Sequence, residues 1–177
     1  MSLLELLKED FESHGRDWTK PGFRALAVYR FGVWRMGIGP RAVRAPFSIA
    51  YRFMFRHVRN HYGIELPYSA TIGRKVVFEH QGGIVIHGAA VIGEGSCIRQ
   101  GVTLGNRSVD EPNEAPVLGK NVNVGAGAKL LGKVHVGDGA AIGANAVVLE
   151  DVPAGATAVG IPAKIVGAKP KLAVRSR

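Results

Sequence analysis

At 177 residues with one cysteine, Cys97, the chain has room for one compact domain plus an appendage and no internal disulfide framework, which suits a reducing compartment. Its 24 glycines recur at regular positions, which argues against disorder, and no stretch approaches the roughly 18 uncharged apolar residues of a bilayer-spanning helix. The formal net charge of +9 sits in one segment: residues 20–62 carry nine Lys/Arg and no Asp or Glu.

In chain order, residues 1–62 read as a short, basic, helical N-terminal region. Leu3, Leu4, Leu6 and Leu7 open a charged helix that Gly15 stops, and the acidic start MSLLELLKEDFESHG is unlike a secretory signal. A cytoplasmic protein is expected. Pro21 opens a second helix, with Phe23, Leu26, Ala27 and Arg30 at helical spacing, broken by Gly37, Gly39 and Pro40. A third helix spans about Arg41 to His61, and Gly63 ends it.

After Gly63 an apolar residue recurs every six positions: Leu66, Ile72, Phe78 and Ile84, then, after a slip of two, Ile86, Ile92, Ile98 and Leu104. The period resumes at Leu118 and runs through Val124, Leu130, Val136, Ile142 and Val148. A six-residue period belongs to a parallel β-helix of hexapeptide repeats. Each hexapeptide forms one flat side of a triangular coil of about 18 residues, and coils stack at roughly 4.8 Å. The expected fold is therefore mainly β, a left-handed parallel β-helix across residues 63–167 with about four coils, followed by a basic tail at 168–177. The interruption NRSVDEPNEAP, residues 106–116, has no repeat character and is expected to protrude as a loop.

Glu79-His80 within FEHQGG, RQGVTLGN (99–106), VGAGAKLLG (124–132) and GIPAKIVG (160–167) resemble the serine acetyltransferase family over about residues 64–167. The resemblance implies acetyl-CoA as donor, no metal, and a homotrimer or dimer of trimers with active sites between neighbouring prisms. It also implies the roles of single residues. His80 is the general base that activates the acceptor hydroxyl, and Glu65, about one coil earlier, fixes its tautomer. Glu79 and Glu114 line the acceptor pocket. Gly105, Asn106, Ala126 and Ala144 are small or polar positions beside the CoA arm, where Lys129 meets a phosphate. Imidazole suits the base, because it titrates close to neutrality and keeps a second nitrogen for an orienting partner.

The chain departs from the family in the loop, where Glu114-Ala115 stands in place of the Arg-His pair of serine-specific members, and in its shorter helical region. The short basic N-terminus and the sequence ATIGRK…GVTLGNR resemble the exopolysaccharide, colanic-acid-type O-acetyltransferase branch, and a sugar acceptor, lipid-linked or free, would not require the missing arginine. Serine O-acetylation for cysteine biosynthesis is the alternative, and a non-catalytic hexapeptide scaffold the second. A zinc-dependent anhydrase would need three converging histidines, and His80, His87 and His135 lack that spacing. Cys97 occupies an ordinary repeat position and reads as packing. The basic segment has three readings: a helical cap with snorkelling arginines, a peripheral contact of residues 20–62 with the inner face of the membrane, or a nucleic-acid surface, for which no recognised motif exists.

Overall fold

Helix α1 (Leu3–Ser13) begins with a capping box: the Ser2 hydroxyl accepts the Glu5 N–H, and the Glu5 carboxylate accepts the Ser2 N–H at 2.8 Å. Helix α2 (Pro21–Met36) starts at proline, whose missing N–H costs nothing in a first turn. Helix α3 (Arg41–His57) continues into a π-helical turn, Val58–Tyr62, which the left-handed Gly63 ends. The computed structural model describes residues 2–167, so the expected basic tail at 168–177 lies outside the described residues.

The strands wind in coils. The first holds β1 (Ile64–Glu65), β2 (Thr71–Ile72) and β3 (Val77–Glu79). The second holds β4 (Ile84–Ile86), β5 (Val91–Ile92) and β6 (Cys97–Arg99), and the third β7 (Thr103–Gly105), β8 (Val117–Leu118) and β9 (Asn123–Val124). The fourth holds β10 (Lys129–Leu131), β11 (His135–Val136) and β12 (Ala141–Ile142). A fifth holds β13 (Val147–Val148), the Val152 bridge and β14 (Thr157–Gly160), after which β15 (Ala163–Val166) folds back antiparallel. The expected count of four coils is thus corrected to five, because Ile64–Glu65 and Thr157–Gly160 also join the stack. Three flat sheets result, β1-β4-β7-β10-β13, β2-β5-β8-β11 and β3-β6-β9-β12-β14-β15, and all pairings but the last are parallel. This is the mainly β fold expected, a parallel β-helix of hexapeptide repeats with helices at its N-terminus.

Alternation within each strand turns one residue in and the next out, so inward residues stack in columns such as Phe78, Ile98, Val124, Ile142 and Ala158. All are buried, and each large aliphatic member contributes roughly 1.5–3 kcal/mol through removal from water. Two departures from the plain coil matter. Val85 pairs with Thr103, eighteen residues on, but Ile64 pairs with Ile84, twenty residues on. The two additional residues enlarge the corner between β3 and β4. Between Thr103 and Lys129 the step is twenty-six, because residues 106–116 leave the prism between β7 and β8.

The helices are clamped onto the first coil by polar contacts. Asp10 and Arg30, both buried, form an ion pair at 2.8 Å, and the same guanidinium donates to the carbonyls of Ile72 and Gly73. Tyr29 donates to the Ala70 carbonyl and accepts the Ile72 N–H. Arg35 lies between the rings of Tyr51 and Tyr68, its carbon 4.4 Å from each centroid. Gly22 brings α2 so close to β3 that a Cβ there would sit 1.9 Å from the Phe78 carbonyl oxygen.

Candidate active site

His80 follows β3 directly, at the enlarged corner. Its backbone has φ +66°, a left-handed conformation, and its ring is exposed. Below this corner lies the end of the π-helical turn, since Gly82 N–H donates to the Tyr62 carbonyl and Ile84 N–H to that of Gly63. Above it the same edge continues through Gly101, Gly127 and Asn145, each tied by its N–H to the coil beneath: to the carbonyls of Gly82, Gln100 and Ala126. Gly101, Gly127 and Asn145 all have positive φ, so this edge turns tightly at every level. Ala126 and Ala144 stand on it one coil apart, above His80.

His80 opens into a cavity of about 280 Å³ that is walled jointly by the prism and the helical region. Val77, Phe78 and Glu79 contribute from β3, Ser13 and His14 from the end of α1, and Lys20, Pro21 and Gly22 from the start of α2. Glu79 is bound by the Arg99 guanidinium at 2.9 Å, one coil above in the same register, and Arg99 reaches on to Asn123. The charge of Glu79 is therefore balanced, and Lys20 brings the cavity a cation that makes no ion pair among the described residues.

Behind the cavity His14 fixes the strand that leads to His80. It is 2 % exposed, and its Nε2 accepts the Phe78 N–H at 3.3 Å. That contact leaves the proton on Nδ1, which donates to the Asp10 carbonyl at 2.7 Å. Burial holds the His14 imidazole below its ordinary range and so keeps it neutral, as an acceptor at Nε2 requires. Burial also pushes the Cys97 thiol up to about 11, with Glu79 adding to the effect, so Cys97 is no nucleophile at neutral pH.

The remaining residues expected at the site do not line this cavity. Glu65 is half-buried on β1 at the foot of the first sheet, its side chain turned outward beside that of Val85. No hydrogen bond joins it to His80 among the described residues. Lys129, higher on that face, donates to the Gly101 carbonyl and, at 3.1 Å, to the Thr103 hydroxyl. Gly105 ends β7 opposite Leu131, and Asn106 opens the loop with its amide donating to the Ser108 carbonyl. Glu114 is half-buried near the end of that loop, its N–H bonded to the Glu111 carbonyl. His87 accepts the Ala89 N–H, and the exposed His135 lies 3.7 Å from Asp151. Among the described residues no three His, Cys, Asp or Glu side chains converge in a group that could hold a metal ion.

Sequence reasoning missed His14 and Lys20, which lie more than fifty residues from His80 and outside any repeat. The slip of two between Ile84 and Ile86 was the signal for the enlarged corner.

A family model described as bacterial transferase hexapeptide (six repeats) matches residues 115–150. The chain is 40% identical over 146 residues to the serine acetyltransferase of Salmonella typhimurium, covering 82% of this chain and 51% of that protein. It therefore spans about half the length of that relative. It is 39% identical over 169 residues to the serine acetyltransferase of Helicobacter pylori, covering 93% of this chain and 94% of the relative. A solved serine acetyltransferase from Brucella abortus, in complex with coenzyme A, superposes with a TM-score of 0.79 at 26% identity, covering 93% of this chain and 67% of that one.

These relatives overturn the expected exopolysaccharide branch and its sugar acceptor. The expectation rested on a short basic helical region, on the sequence ATIGRK…GVTLGNR and on a loop without a cation. The Helicobacter pylori protein is matched along nearly its whole length, so a short helical region does not set a chain apart from serine acetyltransferases. A cation does line the His80 cavity, although not from the loop: Lys20 reaches it from the start of α2.

Proposed function

This chain belongs to the serine acetyltransferase family, and from that premise we propose that it transfers acetyl from acetyl-CoA to the hydroxyl of L-serine, with His80 as general base. The observation that carries the reading is the shared cavity of His80, Glu79 and Lys20 at the enlarged corner. A free amino acid offers three groups, and the cavity has a counterpart for each. The Lys20 ammonium meets the carboxylate, the Glu79–Arg99 pair meets the amino group through Glu79, and the His80 imidazole takes the hydroxyl proton. The serine oxygen then attacks the thioester carbonyl, the C–S bond breaks, and the proton passes from His80 to the departing CoA sulfur. O-acetylserine and CoA result.

Glu65 is assigned the orienting role, through a hydrogen bond formed when acceptor binds. The pantetheine arm lies along the edge above His80, where Ala126 and Ala144 leave room, with Gly105 and Asn106 towards the loop. Lys129 reaches a CoA phosphate only by releasing the Gly101 carbonyl. The exposure of His80 supports a site completed by a neighbouring prism, hence a homotrimer, with Glu114 approaching from the loop of that neighbour. Among the described residues no helix is long and apolar enough to cross a membrane.

The test is CoA thiol release with L-serine against a panel of other hydroxyl acceptors. His80→Ala is expected to lower serine-dependent release by about 10²–10⁴-fold with the fold retained. Wild-type protein that releases no thiol with serine, or an alanine variant as active as wild type, overturns the proposal.

A further inference from the structure

The basic segment divides when its contacts are followed. Arg24 donates to the Tyr62 hydroxyl, Arg30 binds Asp10, and Arg35 sits between two tyrosine rings, so these three serve packing. Arg41, Arg52 and Arg56 do not, and Arg59 reaches only its own helix, donating to Asn60 and lying over the Phe55 ring. They are exposed along α3 and its π-helical extension, and none enters an ion pair among the described residues. At 100° per residue they occupy one arc of the helix surface.

Beside that arc runs an apolar one. Val43, Pro46, Ile49, Ala50 and Phe53 recur at spacings of three and four, and all are exposed, with Ile49 at 54% and Phe53 at 67%. Phe53 also lines the apolar groove of about 570 Å³ between α2 and α3, where Trp18, 66% exposed, lies against Arg24. The apolar surface thus continues from the helix stripe into the groove. A solvated face offers no reason for bulky apolar residues at these positions.

We infer that this surface docks on an anionic lipid bilayer, with α3 lying in the plane of the interface. Ile49, Phe53 and Trp18 enter the headgroup boundary, and Arg52 and Arg56 meet lipid phosphates. Charge complementarity selects this occupant. From residue 20 to 62 there is no carboxylate to repel an anionic surface, and each arginine held near such a surface adds to the attraction. A second copy of the chain would instead bring the same arginines against one another. The inference is independent of the acceptor proposed above.

The test is co-sedimentation of the full chain with phosphatidylcholine vesicles and with vesicles containing roughly 30% phosphatidylglycerol at moderate salt. Wild type is expected on the anionic vesicles only. Ile49→Glu/Phe53→Glu is expected to reduce that partitioning at least about tenfold, with serine acetylation in solution unchanged. No binding to anionic vesicles overturns the inference, and so does equal binding by the variant. It is also overturned if light scattering without lipid shows a wild-type assembly that the double variant halves, because the stripe is then covered by a second copy.

Discussion

The prism and the helical region are held together by different kinds of contact. In the prism the same contact recurs: an inward aliphatic residue stacks on its counterpart one coil away, as Ile86, Leu104, Leu130 and Val148 do. The helical region repeats nothing. Beside the apolar packing of Leu26, Tyr29 and Val58 into the prism core, it relies on single polar contacts between distant residues, such as Asp10 with Arg30, His14 with Phe78, and Glu9 with Arg74. A periodic stack distributes its stability over many equivalent layers. A clamp of unlike contacts concentrates it, and the His80 cavity lies where the clamp meets the stack.

The sharpest way to break this contrast is Asp10→Ala. It leaves the Arg30 guanidinium buried without its carboxylate, and the expected loss is about 3–5 kcal/mol. Removing the charge as well, in Asp10→Ala/Arg30→Met, should restore a substantial part of it. Chemical denaturation of the three variants measures this. A single variant within about 1 kcal/mol of wild type would show that the clamp bears no such weight.

A smaller effect is expected at the cavity. Lys20→Met removes one charge-assisted hydrogen bond to the acceptor carboxylate, worth about 1.5–3 kcal/mol, or roughly ten- to hundredfold. It should appear as a raised KM for serine, with kcat and the KM for acetyl-CoA little changed. An unaltered serine KM would remove Lys20 from acceptor binding and separate the helical region from specificity.

The smallest effect concerns pH. The folded-state pKa of His14 lies below its unfolded value because of burial, so the unfolded chain takes up this proton first. Its contribution to stability is present above the ordinary histidine value of about 6.5 and is lost as pH falls towards the folded-state value. His14→Gln keeps an acceptor for Phe78 but does not titrate. Denaturation midpoints between about pH 7 and pH 5 should therefore fall less steeply in the variant than in wild type. Parallel slopes would mean that His14 does not link the clamp to protons.

How much could be read without coordinates follows the same division. The six-residue period fixed the coil, because inward residues must stack on their own kind, and Pro21, Gly37 and Gly63 punctuated the helices through backbone chemistry alone. The protrusion after Gly105 was legible as a loss of period. The number of coils was underestimated, because Ile64–Glu65 and Thr157–Gly160 lie where the pattern is weakest. The cavity was half legible. Glu79-His80 carried a motif, but Lys20 and His14 carried none, and a loop without a cation pointed to the wrong acceptor.

By itself, then, the sequence determined the prism, its interruption and the histidine at its corner, since each depends on residues within one or two repeats of one another. The tertiary structure alone decided what faces that histidine. Gly22 lets α2 approach β3, Asp10 and Arg30 hold it there, and Lys20 enters the cavity as a consequence. The physical reason is separation along the chain: a periodic pattern reports contacts at a fixed spacing, and these contacts have none.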